Sequence, residues 1–384
     1  MKRVYQKLIN RIVTIIPCFV LIVFLFLSTL TLIGCATMDN GKYDYIINVS
    51  FSPDGKKILF NRRNDDRIFM IHVYDLESGE LIAYQSPVGE EWSFARYSFD
   101  GKHIVFIIIP YNKHQEDIAD TQIAVMDTDG KNVRKITNTT GFKLYPSFSH
   151  SGRKIIFAHA DKIREKGGRT PVADYDVYEV DVETGRETRL TQFKFYQISN
   201  PYYFPDDKTF IFGGDTPFSY TGTFTGILPA ATEKMCKELK STYQKNSIYV
   251  MQGSEQELKP YLVMSDYGKK FKSYNKSDEY SRWPSLSDDG SVLVFVAHGY
   301  RLDGSGDWEQ IFQYSSDGNH KRITHLDAKP IWDVSVSSKG DLIAVIHNDA
   351  SSQKINNIVI YRVSDGTIYK EITLPEKPSR IINN

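Results

Sequence analysis

Apolar and polar positions alternate in short blocks along most of the chain, and one arrangement of the two recurs six times. The first copy, FSPDGKKILF (51–60), is a polar turn that ends at Gly55 and runs directly into an apolar stretch. The turn positions of the five later copies are Gly101, Gly152, Asp207, Gly290 and Gly340. The intervals between successive turn positions are therefore 46, 51, 55, 83 and 50 residues.

Each copy can be extended into four predicted strands. Strand a ends at the turn, strand b is the apolar run after it, strand c is a second apolar run such as 71–75, and strand d follows a tight turn such as that at Gly79. Nearly continuous apolar runs are typical of strands covered on both faces. A period of about 40–50 residues built from four short strands is typical of a β-propeller. The sequence therefore predicts an all-β fold, a six-bladed β-propeller over 43–376, followed by a C-terminal tail at 377–384.

The turn phrase and its strands resemble the repeat of TolB-type propellers, which also occurs in the non-catalytic propellers of the prolyl oligopeptidase family. The resemblance covers about residues 43–373. Only about a dozen residues separate Cys35 from the first predicted strand, so we do not expect the α/β domain that precedes the propeller in TolB. The sequence has no Gly-x-Ser-x-Gly nucleophile elbow, so we do not expect a hydrolase domain either.

The N-terminus has the parts of an export signal. Four basic residues lie within the first eleven positions, and the apolar run Ile12–Ile33 leads into Leu-Ile-Gly-Cys at Cys35. This resembles the bacterial lipoprotein signal, which implies a signal peptide over 1–34, lipidation of Cys35 and a short tether over 35–42. Ala36 is not aspartate, which in Gram-negative lipoproteins favours forwarding to the outer membrane. The alternative is an uncleaved transmembrane helix, because a run of 22 residues is long enough to span a bilayer.

Charge and cysteine content exclude two other classes of protein. Lys and Arg total 47, and Asp and Glu also total 47, so the chain lacks the basic excess expected of a nucleic-acid-binding protein. Of the three cysteines, Cys18 lies in the signal and Cys35 would carry lipid, which leaves Cys236 in the folded part. We therefore expect no intramolecular disulfide, and packing must provide the stability.

The predicted connections between strands b and c are long, whereas the a–b and c–d turns are short. In an antiparallel meander all b–c connections leave from the same face of the disc, here called the long-loop face. Long connections in a compact domain are usually functional or disordered, so this face is the predicted binding face. The longest connection is an insertion in blade 4 at about 215–246, whose second half has the apolar spacing of a helix. That helix is interpreted either as a lid or partner-docking element or as a decoration packed on a blade edge.

Six residues at matched positions are predicted to surround the central channel. Each precedes its turn position by seven residues, at the expected start of strand a, and together they would form a ring at the channel mouth on the long-loop face. The members of this axial ring are Asn48, Phe94, Tyr145, Asn200, Trp283 and Asp333. Aromatic and amide side chains suit ligand or partner contact. They suit equally well a propeller that plugs its own channel, and the sequence leaves both interpretations open.

Other candidate chemistry is weaker. His159 and His347 end matched b strands and His298 is displaced by one position, but no close-spaced pair of metal ligands accompanies them. The segment 127–130 begins like a calcium loop, lacks the distal glutamate and falls on a predicted c–d turn. We therefore predict neither a metal nor a cofactor.

Two classes of function are compatible with this sequence. The first is a non-enzymatic cell-envelope lipoprotein, a monomer anchored by its N-terminal lipid in the outer membrane and facing the periplasm. Such a protein would bind or scaffold a protein or glycan partner through the long-loop face. The second is a propeller enzyme, a lyase or hydrolase acting on a polysaccharide in the central funnel. Titratable side chains that converge in the funnel would favour the enzyme, whereas a channel lined by amides and aromatics would favour the binding protein.

Overall fold

The computed structural model describes residues 45–63, 68–110, 120–163, 172–192, 195, 197–215, 247–252, 259–262, 281–298, 309–315, 320–326, 330–347 and 357–383. Within these ranges the chain forms 25 β-strands in six sheets and no helix. The predicted all-β fold, a six-bladed β-propeller, is confirmed. The N-terminal segment with Cys35, and residues 216–246 with the predicted helix, lie outside the described residues. In the part that is described, no helix is long and apolar enough to cross a membrane.

Each blade is an antiparallel meander of strands that are consecutive in sequence. Blade 1 contains β1 (Ile46–Phe51), β2 (Lys57–Arg63), β3 (Phe69–Asp75) and β4 (Leu81–Gln85). Blade 2 contains β5 (Glu90–Tyr97), β6 (His103–Pro110), β7 (Gln122–Asp127) and β8 (Arg134–Lys135). Blade 3 contains β9 (Phe142–Phe148), β10 (Lys154–Ile163), β11 (Val172–Asp181) and β12 (Glu187–Arg189).

The second half of the ring repeats this order. Blade 4 contains β13 (Gln197–Tyr203), β14 (Thr209–Asp215), β15 (Ser247–Gln252) and β16 (Lys259–Leu262). Blade 5 contains β17 (Ser281–Leu286), β18 (Val292–His298), β19 (Glu309–Ser315) and β20 (His320–Arg322). Blade 6 contains β21 (Ile331–Val336), β22 (Leu342–His347), β23 (Asn357–Arg362) and β24 (Ile368–Thr373), and β25 (Arg380–Asn383) follows it.

The apolar core lies between neighbouring blades. At the interface of blades 1 and 6, Phe60 of β2 packs in one cluster with Ile346 of β22 and Ile360 of β23, and all three are fully buried. Five consecutive residues of β2 are buried, which means that both faces of the strand are covered. The continuous apolar character of the b and c strands is therefore explained by packing against a blade on each side.

The recurrent turn phrase builds the same hydrogen-bonded turn in several blades. In blade 1, Ser52 Oγ donates to Asp54 Oδ1 at 2.6 Å and accepts from the Lys57 amide at 2.9 Å, while Gly55 adopts a φ of 72°. Burial alone would raise the pKa of Asp54, but hydrogen bonds from Ser52 and from the Lys56 amide lower it below its ordinary value. The phrase recurs because serine and aspartate supply the hydrogen bonds, and glycine the left-handed backbone, of a tight turn.

Blade 4 has Asp207 where the other blades have glycine, and the structure explains the exception. Asp207 keeps the left-handed backbone, with a φ of 52°. Its carboxylate accepts from the amides of His150 at 2.6 Å and Ser151 at 2.9 Å, both in the a–b turn of blade 3. A left-handed non-glycine residue costs about 1–3 kcal/mol, and two hydrogen bonds to a charged acceptor offset that cost. The aspartate therefore ties two neighbouring turns together.

The innermost strands close the ring by packing, and the first four strands of every blade are consecutive in sequence. The innermost strands contact one another in sequence order, and β21 contacts β1 to complete the circle. Within the predicted C-terminal tail, β25 adds a fifth strand to blade 1. It runs parallel to β4 on the outer edge, with Ile382 opposite Tyr84. The chain therefore crosses from blade 6 back to blade 1 on the outside of the ring.

Candidate functional site

The axial ring lies at irregularities in the innermost strands. In every blade the pairing of the first strand with the second shifts register beside the predicted ring residue. Five ring residues have a left-handed backbone, with φ values of 36° at Asn48, 53° at Phe94, 54° at Tyr145, 46° at Asn200 and 50° at Trp283. A β-bulge re-aims a side chain, and each such residue costs about 1–3 kcal/mol unless its surroundings impose the conformation. The strain is thus concentrated around the channel axis.

The ring members lie inside the innermost strands and not at their first residues. They occupy the third to fifth positions of β1, β5, β9, β13, β17 and β21. The sequence had placed them at the strand starts, at the channel mouth. Asn48, Asn200, Trp283 and Asp333 are buried, with exposed fractions of 3%, 0%, 8% and 4%. Phe94 and Tyr145 are half-buried.

Three polar side chains from alternate blades form a hydrogen-bonded chain across the axis, here called the axial network. Arg96 Nη2 of blade 2 donates to Asn200 Oδ1 of blade 4 at 2.8 Å. Asn200 Nδ2 in turn donates to Asp333 Oδ1 of blade 6 at 3.0 Å. The second oxygen of Asp333 accepts from the Val49 amide of blade 1 at 3.0 Å. Asn200 and Asp333, two members of the axial ring, therefore bind each other across the axis.

Arg96 was not among the predicted site residues, although the sequence contains a signal for it. The positions two residues after the ring members are Ser50, Arg96, Ser147, Tyr202, Ser285 and Ser335. Four are serines, and the two exceptions meet each other, because the Arg96 guanidinium lies 4.5 Å from the centre of the Tyr202 ring. An arginine at a repeat position that is otherwise mostly serine therefore indicates a specific role for Arg96. It could be recognised only by aligning the six repeats on their bulges.

Burial raises the pKa values of two acidic groups beside the axis. Burial raises the pKa of Asp333, and the nearby Arg96 and the hydrogen bonds from Asn200 and Val49 only partly oppose that effect. Burial likewise raises the pKa of Tyr145 to about 12, although a hydrogen bond from Trp283 lowers it. The phenol of Tyr145 therefore stays protonated at neutral pH.

The aromatic members of the ring have two different environments. Trp283 belongs to the apolar cluster between blades 5 and 6, and the Arg282 guanidinium stacks 3.7 Å from its ring centre. Phe94 and Tyr145 instead contact each other edge to face, with ring centres 4.6 Å apart. Phe94 also packs against the apolar cluster between blades 2 and 3. Phe94 and Tyr145 are nevertheless only half-buried, whereas Trp283 is buried, so they are the aromatic ring members with surface left for a ligand.

Comparison with known proteins supports the predicted resemblance. No protein-family model matches the chain. The Tol-Pal system protein TolB of Rickettsia prowazekii (strain Madrid E) is 35% identical over 88 residues, which are 23% of this chain and 17% of that protein. The crystal structure of TolB from Acinetobacter baumannii superposes with a TM-score of 0.52 at 17% identity, covering 88% of this chain and 66% of that one. The chain is a six-bladed β-propeller that resembles TolB in sequence over this segment and in fold.

Two further solved structures share the fold. An oligogalacturonate lyase in complex with manganese has a TM-score of 0.52 at 15% identity. The superposition covers 83% of this chain and 74% of the lyase chain. The oligogalacturonate lyase of Vibrio parahaemolyticus has a TM-score of 0.51 at 14% identity. That superposition covers 86% of this chain and 77% of the lyase chain. At such low identities the likeness extends to the fold alone. The site of this TolB-like propeller must be argued from its own residues.

A second set of contacts spans the channel at its other end, among the short a–b turns. His150 of blade 3 stacks on Phe99 of blade 2, with ring centres 3.7 Å apart. Its Nε2 lies 2.9 Å from the carbonyl oxygen of Asp288 in blade 5, and the Asp288 amide donates to Ser338 of blade 6 at 3.1 Å. The a–b turns of blades 2, 3, 5 and 6 are therefore linked to one another on the face opposite the long loops.

The histidines singled out in the sequence lie in separate blades. His159 Nε2 lies 3.1 Å from the carbonyl oxygen of Thr140, and His347 Nε2 lies 3.5 Å from the Tyr361 hydroxyl. The side chain of His298 is outside the described residues. Among the described residues, no group of three His, Cys, Asp or Glu side chains is arranged to hold a metal ion.

Proposed function

We propose that this TolB-like propeller is a non-enzymatic binding lipoprotein of the cell envelope. It captures a protein or glycan partner on its long-loop face and admits one group of that partner into the central channel. The observation that carries this proposal is the set of bulges that hold aromatic and amide side chains around the axis in a left-handed backbone. Strained backbone of this kind persists only where the surrounding structure imposes it, and such positions cluster at functional sites.

The chemistry of the axial residues supports binding over catalysis. Both carboxylate oxygens of Asp333 already accept hydrogen bonds, so neither is free to act as a general base toward a substrate. Tyr145 keeps its proton at neutral pH, because burial raises its pKa. What remains for a ligand is stacking on Phe94 and Tyr145 and hydrogen bonding to the buried polar groups.

The alternative is a lyase or hydrolase that acts on a polysaccharide in the funnel. The two oligogalacturonate lyases that share the fold are the reason to keep an acidic polysaccharide among the ligands to test. Turnover of such a substrate by the purified protein, and its loss in Asp333→Asn, would support the enzyme in place of the binding protein.

Membrane attachment through Cys35 is the second part of the proposal and rests on the sequence. The basic start, the apolar run and Leu-Ile-Gly-Cys imply cleavage before Cys35 and acylation of its thiol, in the outer membrane and facing the periplasm. Two or more acyl chains anchor a protein firmly, since each buried methylene contributes about 0.8 kcal/mol. We expect the intact mass of the membrane-extracted protein to correspond to residues 35–384 plus lipid. Recovery of an intact Met1 would show that the anchor is an uncleaved helix.

Partner capture is tested by truncating the half-buried aromatics. In Phe94→Ala and Tyr145→Ala we expect the affinity for the partner to fall by about 5- to 30-fold, because aromatic anchors contribute about 1–2 kcal/mol each to an interface. Crosslinking in native envelopes, followed by mass spectrometry, identifies the partner, and titration of the purified pair gives the affinity. Val133→Ala is the matched control, since Val133 is an exposed apolar residue next to a c–d turn on the opposite face. Equal losses in the control and the test variants would place the partner elsewhere on the disc.

A further inference from the structure

Two buried polar atoms beside the channel axis have no hydrogen-bond partner within the described part of the chain. They are Arg96 Nη1 and Asn48 Oδ1. The exposed fractions of these residues are 4% and 3%. An unsatisfied buried polar group costs about 1–3 kcal/mol, and more when the group is charged. Each such group in a folded protein needs an explanation, and a bound ion or molecule that completes it is one.

The two atoms belong to the same part of the channel. Asn48 Nδ2 donates at 2.8 Å to the carbonyl oxygen of Ala95, the residue before Arg96. This bond fixes the Asn48 amide, so its oxygen is the acceptor that remains. Arg96 is also fixed, because Nη2 donates to Asn200 and the guanidinium face lies on Tyr202. One donor of a rigid cation and one acceptor of a rigid amide are therefore preorganised in neighbouring blades.

From this arrangement we infer that the axial site binds a carboxylate, with Arg96 Nη1 donating to it and Asn48 Oδ1 accepting from a hydroxyl or N–H group of the same ligand. The inference rests on the proposed function and names the chemistry of the group that enters the channel. A guanidinium binds planar oxyanions through donors in a fixed fork. Half-buried Phe94 and Tyr145 in the ring supply the apolar surface beside that group.

The charge balance around Arg96 supports an anionic ligand. Among the described residues no carboxylate lies within ion-pair distance of Arg96. The acid of its network, Asp333, is reached only through Asn200. The neighbouring cation, Arg282, is paired with Glu309. A buried cation without a direct counter-ion is unfavourable, and a ligand carboxylate would supply the missing charge.

The carboxylate can come from a sugar acid or from the C-terminus of a peptide, and matched ligand pairs distinguish these sources. Calorimetric titration of the full-length lipoprotein in detergent would compare trigalacturonate with neutral galactotriose, and a tripeptide with its C-terminal amide. We expect the charged member of at least one pair to bind tenfold or more tightly than its neutral member. The pair that shows the difference identifies the source.

Two variants with opposite expected effects on ligand binding test the assigned residues. Arg96→Gln should remove the preference for the charged ligand. Folded Asp333→Asn should strengthen binding of the charged ligand about threefold or more, because it removes the acid of the network. Asn200 can still donate to the side-chain oxygen, whereas the Val49 amide loses its acceptor. Arg134→Gln, which changes an exposed arginine on β8, is the matched control and should bind as the wild type does.

Equal binding of charged and neutral members in both pairs would overturn the inference, even if Arg96→Gln does not fold. Unchanged discrimination in a folded Arg96→Gln, or weaker binding in Asp333→Asn, would also overturn it. Loss of partner capture in Phe94→Ala without any preference for carboxylates would leave the proposed function standing and remove only this assignment. Normal partner capture in both aromatic variants would remove the proposed function as well.

Discussion

Replacing Asn200 with glycine is expected to lower the free energy of unfolding by about 3–4 kcal/mol. Asn200 is fully buried and is the link between Arg96 of blade 2 and Asp333 of blade 6. Without its amide, a buried guanidinium donor and a buried carboxylate oxygen both lose a partner, and breaking one buried charged link typically costs about 3–5 kcal/mol. Glycine accepts the φ of 46° at this position, so the loss reports the hydrogen bonds and not the backbone.

Asn200→Ala separates the contribution of the hydrogen bonds from that of the left-handed backbone. Alanine removes the same hydrogen bonds but tolerates a left-handed backbone poorly, so it should be about 1 kcal/mol less stable than the glycine variant. Urea unfolding followed by tryptophan fluorescence measures all three proteins. If Asn200→Gly is as stable as the wild type, the axial network does not hold the blades together. If alanine and glycine are equal, the bulge at this position is not strained.

The second large effect is expected at the C-terminal strand. Ile382→Asp should lower the free energy of unfolding by about 2–3 kcal/mol, because it removes apolar burial and places a charge in an apolar contact. Ile382 packs on the cluster between blades 1 and 2, and its Cγ2 lies 3.2 Å from where a Cβ at Gly130 would stand. The strand therefore joins the end of blade 6 to blades 1 and 2 from outside the ring.

The neighbouring residue provides the control for this strand. Ile381 has the same side chain on the same strand but is 51% exposed, so Ile381→Asp should change the free energy of unfolding by less than about 0.5 kcal/mol. Thermal unfolding of the two variants compares them directly. Equal stability of Ile382→Asp and Ile381→Asp would show that β25 does not contribute to closure of the propeller. The expected contrast would show that the propeller is held closed by an added outer strand.

The repeat-level features follow from local chemistry, which is why the sequence predicts them. A turn that needs serine and aspartate hydrogen bonds and a left-handed glycine leaves the same mark each time it is used. Counting back seven residues from each turn reaches the axial ring, because strand length and pairing register are fixed within one hairpin. Six blades, their strand order and the identity of the ring members were therefore accessible from spacing alone.

The contacts between blades could not be obtained in this way. Arg96 meets Asn200 across 104 positions, and Asn200 meets Asp333 across 133. Asp207 holds a turn 57 positions away, and β25 pairs with a strand almost 300 residues before it. The circular arrangement of the six blades brings these partners together. The periodicity within one repeat does not encode that arrangement.

The sequence by itself determined the fold and the number of blades, because hydrogen-bonded turns and strand periodicity are local properties. Only the tertiary structure decided that the ring members lie three to five residues into the innermost strands and that Asn200 and Asp333 bind each other. It also left Arg96 and Asn48 each with one buried atom unsatisfied. These properties depend on distances across a closed circle of six blades. The circle is closed by the whole chain, and no single repeat contains that information.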